Sequence, residues 1–174
     1  MRYKIMLVAL LALVLLTGTV CAAPAKPIIK ADKTYFDINT GLYVLKGNVV
    51  IEARGRVITA GMARVSIASL EVWGSGGVTV TQGDIYFTGD SVYVYGMQDR
   101  AKIDGGVTFT RTGLSVTADQ AEFNWRSKIG VFTGNVKINQ NGTTWTTDKL
   151  TYNVATNTIV SPVPAVAQTA GGEK

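Results

Sequence analysis

One short box recurs four times along this chain without a gap: glycine, then asparagine or glycine, then valine, any residue, and an apolar residue. The copies are Gly47-Asn48-Val49-Val50-Ile51, Gly76-Gly77-Val78-Thr79-Val80, Gly105-Gly106-Val107-Thr108-Phe109 and Gly134-Asn135-Val136-Lys137-Ile138. They start at 47, 76, 105 and 134, so every interval is 29 residues. A fixed period of this size marks units that cannot bury an apolar face alone and do so by stacking on their neighbours. Fourteen positions after each glycine stand Gly61, Asp90, Asp119 and Asp148, preceded by Ala60, Gly89, Ala118 and Thr147. Run backwards, the register puts Ala31-Asp32 in a leading half repeat. Four full repeats then follow and end near Pro162.

Inside a repeat the apolar period is two, which is the period of a strand. Phe132, Gly134, Val136 and Ile138 alternate with Thr133, Asn135, Lys137 and Asn139, and Ile103 to Thr110 behaves in the same way. Leu114, Val116 and Ala118 read as a second strand, and Ala121, Phe123 and Trp125 as a third. Asn141-Gly142, Gly83-Asp84 and Thr112-Gly113 are the turn signals. The expectation is about three short strands per repeat, roughly a dozen or more in all, at typical strand lengths. The fold class is all-β: a stack of antiparallel strands, jellyroll or solenoid, built from 29-residue repeats around an apolar interior.

The start of the chain has a different composition. Arg2 and Lys4 precede an unbroken apolar run, Ile5 to Leu16, and small residues follow as far as Ala23. That order describes an export signal over residues 1–22, and the run is short for a membrane span. The alternative is a segment retained as a single-span anchor. Residues 23–160 then form the repeat domain, and 161–174, rich in Pro, Ala and Gly, a loose tail. Removing the signal takes two cations and leaves 15 Lys and Arg against 12 Asp and Glu. The cations are spread singly, which weighs against a nucleic-acid partner. The chain has no histidine, and its one cysteine, Cys21, lies in the signal. Histidine-assisted nucleophiles, histidine and thiolate metal sites and a disulfide framework are therefore excluded. No cofactor, metal or nucleotide motif is read, and no enzyme activity is expected. Asp32, Asp90, Asp119 and Asp148 recur once per repeat, which suits turn formers better than a catalytic or calcium site.

Superposed on the repeat, the apolar faces give four rows. One is Ile29, Ile58, Phe87, Val116 and Trp145. A second is Phe36, Val65, Val94, Phe123 and Tyr152. The others are Val49, Val78, Val107 and Val136, and Ile51, Val80, Phe109 and Ile138. Either these rows pack each other shut, as in a closed solenoid, or the walls stand partly apart and hold something apolar. Aromatic residues as large as Phe87, Phe109, Phe123, Trp125 and Trp145 favour a groove.

The Gly-Asn-Val-x-apolar box (Gly47 to Ile51, Gly134 to Ile138), the Ala-Asp box (Ala31-Asp32, Ala118-Asp119) and their place after an export signal resemble the LptA/OstA family of periplasmic lipopolysaccharide transport proteins. The resemblance spans about Ile28 to Val160. Gly76-Gly77, Gly105-Gly106 and the acid-free Ala60-Gly61 depart from it. It implies a twisted, slightly open β-jellyroll that binds the acyl chains of lipopolysaccharide (lipid A) in its interior. The binding set would be Val49, Ile51, Ile58, Val65, Val78, Val80, Phe87, Val94, Val107, Phe109, Val116, Phe123, Trp125, Val136, Ile138, Trp145 and Tyr152. It also implies a periplasmic location and edge-strand joining, head to tail with further copies and with inner- and outer-membrane transport proteins of the same fold. The alternatives are an anchored inner-membrane partner of that fold, like LptC, and a self-assembling structural repeat without ligand.

Overall fold

A computed structural model describes residues 28–53 and 55–161. The expected export signal, and the expected tail from residue 162 onward, lie outside the described residues. Ser161, placed in the tail by sequence, closes the last strand.

The strands are β1 (Ile28–Lys30), β2 (Lys33–Asp37), β3 (Leu42–Ala53), β4 (Arg56–Ser66), β5 (Glu71–Gln82), β6 (Ile85–Tyr95), β7 (Arg100–Arg111), β8 (Leu114–Asn124), β9 (Ile129–Gln140), β10 (Thr143–Asn153) and β11 (Thr158–Ser161). All belong to one sheet in sequence order, with β1 and β2 side by side against β3. Every pairing is antiparallel. The period is kept in the coordinates: β3, β5, β7 and β9 start at 42, 71, 100 and 129.

The expectation of three short strands per repeat is corrected to two long ones of 11 or 12 residues. Leu114–Ala118 and Ala121–Trp125, read as separate strands, are the two halves of β8, except that Trp125 lies beyond its end. The break between them is a β-bulge. Pairing of β7 with β8 runs from Arg100↔Asn124 to Asp104↔Gln120, slips, and resumes at Val107↔Ala118, so that Gly105-Gly106 oppose Asp119 alone. The same slip sets Gly47-Asn48 against Gly61, Gly76-Gly77 against Asp90 and Gly134-Asn135 against Asp148. Both bulge residues have positive φ, as at Gly134 (+77°) and Asn135 (+47°). Glycine enters that region freely and asparagine at small cost, which is why the box allows only these two.

The aspartates are corrected in the same way. Asp90, Asp119 and Asp148 lie inside strands and form no turn, whereas Asp32 sits in the bend between β1 and β2; Asp32, Asp90 and Asp119 cap the bulge of the next strand. A Cβ on Gly134 would come within 2.4 Å of Asp119 Oδ2, one on Gly105 within 2.2 Å of Asp90 Oδ2, and one on Gly47 within 2.3 Å of Asp32 Oδ2. Asn135 Nδ2 donates to Asp119 Oδ2 at 2.8 Å, and Asn48 Nδ2 to Asp32 Oδ2 at 3.0 Å. The two boxes read separately in sequence are thus one device, a glycine leaving room for the carboxylate that holds its neighbour. Where the acid is missing, Gly61 and Gly76 bring their backbones together, and a Cβ on Gly61 would lie 3.0 Å from the Gly76 carbonyl oxygen.

Two kinds of turn bound the sheet. Along what we call the upper rim run the two-residue turns expected at Gly83-Asp84, Thr112-Gly113 and Asn141-Gly142. Along the lower rim run longer turns, each with a residue of positive φ at one repeat position: Gly41, Leu70, Asp99, Lys128 and Asn157. A side chain at the preceding strand end caps several of them. Asn124 Oδ1 accepts from the Arg126 and Ser127 amides, and Asn153 Oδ1 from those of Ala155 and Thr156. Leu70 (φ +54°) is the misfit of the row, an exposed leucine in a conformation that disfavours a Cβ. Leu70→Asn is therefore expected to raise stability by about 0.5–1 kcal/mol, read as a higher urea midpoint with an unchanged slope.

Candidate functional site

The bulges run in a row across the sheet, and the two halves fold toward each other along it. Phe109, in the upper half of β7, has its ring 5.5 Å from that of Tyr152, in the lower half of β10. Three strand spacings of about 4.8 Å would separate those strands in a flat sheet. The interior lies between the two walls.

The upper wall presents one unbroken register across nine strands: Ile29↔Ile51↔Ile58↔Val80↔Phe87↔Phe109↔Val116↔Ile138↔Trp145. Two of the rows read from sequence are therefore one. The valines behind the bulges face small partners: Val49↔Ala60, Val78↔Gly89, Val107↔Ala118 and Val136↔Thr147. On the lower wall Phe36, Val65, Val94, Phe123 and Tyr152 interleave with Tyr43, Val72, Ala101, Gly130 and Ile159. Sequence reasoning missed those interleaved residues, and it placed Ile103, Ala121 and Phe132 on apolar faces without joining them into the lower-wall row that runs through Leu45, Ala63, Gly74, Val92, Ile103, Ala121, Phe132 and Leu150. The signal was present in the strict alternation on the amino-terminal side of each glycine box. Trp125, expected in the binding set, lies past the end of β8 in a lower turn, where its Nε1 donates to Asp99 Oδ1 at 2.9 Å.

The interior is filled unevenly. Val116, Val136, Ile138, Leu150 and Tyr152 are 0% exposed, whereas Ile29 is 53% and Phe36 50% exposed at the other end. Toward β10 the walls are joined by rings. Phe87 and Phe109 from above meet Phe132 from below at 5.9 and 5.6 Å, with the Phe87 and Phe132 planes 5° apart. Toward β1 the upper wall is aliphatic, the lower-wall rings Phe36 and Tyr43 are exposed, and only Leu45, Val49 and Ala63 form a buried nucleus. Of the residues proposed from sequence, Val49, Val78, Val107, Phe109, Val116, Val136, Ile138 and Tyr152 are buried. Ile51, Ile58, Val65, Val80, Phe87, Val94, Phe123 and Trp145 are partly accessible. The Trp145 indole N–H is buried and has no acceptor among the described residues. Two hollows, of about 370 and 210 Å³, are present, the first, mainly polar, along Thr147–Lys149, Thr151 and Ser161, the second, of mixed lining, between Lys102, Ala121, Glu122, Val131 and Thr133.

Both ends of the stack are strand edges. β11 covers β10 only at Thr151–Asn153, so the Thr143–Thr147 edge lacks a second neighbour among the described residues. At the other end, among the described residues, β1 and β2 pair only with β3.

The family profile described as "LptA/(LptD N-terminal domain) LPS transport protein" matches residues 57–158. Among solved structures the chain is similar to LptH, the LptA homologous periplasmic component of the conserved lipopolysaccharide transport device from Pseudomonas aeruginosa. The two are 14% identical with a TM-score of 0.37, over 85% of this chain and 90% of that one. No curated protein sequence matches the chain.

Proposed function

Because the chain belongs to the LptA/LptD N-terminal domain family of lipopolysaccharide transport proteins, we propose that it is an exported, periplasmic bridge protein that carries lipopolysaccharide acyl chains between its two walls, from the inner toward the outer membrane. The observation that carries the reading is the upper-wall row, apolar at every position from Ile29 to Trp145 and half exposed where it begins. An acyl chain crossing water needs such a path, since each exposed methylene costs about 0.8 kcal/mol. The sequence has no phosphate-binding loop, so the driving energy comes from partners. The uncovered edges support strand-to-strand joining, with further copies head to tail and with transport proteins of the same fold at both membranes. Addition of this kind does not close on itself and builds a filament.

A closed structural repeat without ligand is the second reading, favoured by the fully buried interior around Val116 and Ile138. Photocrosslinking in cells decides between them. A photoreactive residue at Ile58, Phe87 or Phe123 is expected to give a lipopolysaccharide adduct, while the outward Thr108 and Lys137 give none. An exported, folded protein without adduct at any inward position would favour the closed repeat.

A further inference from the structure

Three residues that break the repeat meet at one point. Position 84 is aspartate where the other upper turns carry Gly55, Gly113 and Gly142. Position 111 is arginine where its equivalents are Ala53, Gln82 and Gln140. Position 152 is tyrosine where the row otherwise holds Phe36, Val65, Val94 and Phe123. Repeats doing identical work have no need of these departures, yet all three side chains are in contact.

Arg111 ends β7 on the upper rim. Its Nε donates to Asp84 Oδ2 at 3.0 Å in the neighbouring upper turn. Its Nη1 donates to the Val154 carbonyl and to Tyr152 Oη, the latter at 3.4 Å, and both acceptors belong to the lower rim. Tyr152 Oη donates onward to Asn157 Oδ1 in the same lower turn. Among the described residues no other side-chain hydrogen bond or ion pair joins the two rims; Gln82, at the Arg111 position one repeat earlier, bonds only to Arg56 on its own rim. Charge-assisted bonds from a planar guanidinium are the strong and directional kind. The hydrogen bond from Arg111 holds the Asp84 carboxyl below the usual carboxylate range, and the hydrogen bond to Tyr152 leads the effects that raise Arg111.

We propose that Arg111, Asp84 and Tyr152 form a latch that holds the seam between the walls shut over the last two repeats, leaving the seam over the first repeats as the way in for an acyl chain. The lower rim of that unlatched stretch carries Ile38, Ile67, Leu70 and Met97 as exposed apolar side chains, which carry the apolar surface outward to the lip. The latch stands on the contacts alone; its role in lipid entry rests on the function proposed above.

Paired spin labels at Thr112 and Thr156, one on each rim, read the latch in a Cys21→Ser background. A pair at Val57 and Met97 reads the unlatched seam. Arg111→Ala is expected to lengthen the Thr112–Thr156 distance by about one strand spacing, roughly 5 Å, with the second pair unmoved. Tyr152→Phe keeps the ring and is expected to lengthen it less; if Arg111→Ala fails to fold, this variant decides alone. Uptake of cis-parinaric acid, a fluorescent fatty acid, is expected to rise several-fold in the same variants, because apparent affinity follows the fraction of open molecules. An unchanged Thr112–Thr156 distance in a folded variant overturns the latch. A lengthened distance with unchanged uptake leaves the latch standing and overturns the acyl-chain reading.

Discussion

Phe132→Ala is expected to cost about 3–5 kcal/mol of stability, the range for removing a large ring from a packed core. Phe132 is buried on the lower wall, and both upper-wall rings, Phe87 and Phe109, rest on it. Its cross-strand partners Ala121 and Leu150 are held in the sheet and do not move in to fill the space. The control is Phe36→Ala, which removes the same side chain from a half-exposed site at the other end. There the loss is expected to be about 1 kcal/mol or less, since only part of the ring's transfer energy is recovered on folding. Urea titration of both variants measures the difference. Equal losses would show that the two walls are not packed together over the later repeats.

The bulge makes the second large prediction. In Gly134→Ala the new Cβ must sit in a left-handed conformation (φ +77°), which costs roughly 1–2 kcal/mol. It must also displace Asp119 Oδ2, 2.4 Å away, from its bond with Asn135, and a lost bond of this kind costs about another 1 kcal/mol. The expected total is about 2–3 kcal/mol. Combining it with Asp119→Ala removes the clash, so the double variant is expected to lose about 1 kcal/mol less than the two singles added. Strict additivity in that cycle would mean that the aspartate does not hold the bulge.

Much of this architecture was legible in the sequence, and the limits have physical causes. The period itself fixes the stack, because it brings every strand onto its neighbours with the same face turned to the interior. The upper turns were equally plain: Asn141-Gly142 is the chemistry a two-residue hairpin demands. What misled was the residue opposite the glycine pair. The strand through the glycines was read whole, but in β8 the apolar alternation shifts phase at Asp119-Gln120, which looks like a strand boundary and is only the partner side of a bulge, so two 11- to 12-residue strands read as three short ones. The aspartates were misread for the same reason, since a carboxylate fourteen positions from a glycine in sequence can only be matched to the following repeat's glycine once the register across the strands is known. The apolar rows were found, but not their depth. Alternation tells which face a side chain takes and says nothing of how far apart the two faces stand, so Val116 at full burial and Ile58 at partial exposure look alike in sequence. Trp125 follows the parity of Ala121 and Phe123 and leaves that face because the strand stops one residue earlier.

The unbroken 29-residue period also has a consequence for how such a chain changes over time. Each unit adds two strand spacings, about 9.6 Å of path, and its joints on both sides are the same bulge and the same turns. Duplication or loss of one whole unit therefore keeps every remaining residue in phase. Reach becomes a quantity that inheritance can adjust in fixed steps, with no new interface to invent, whereas an odd insertion inside a strand would turn the rest of that strand to the wrong face.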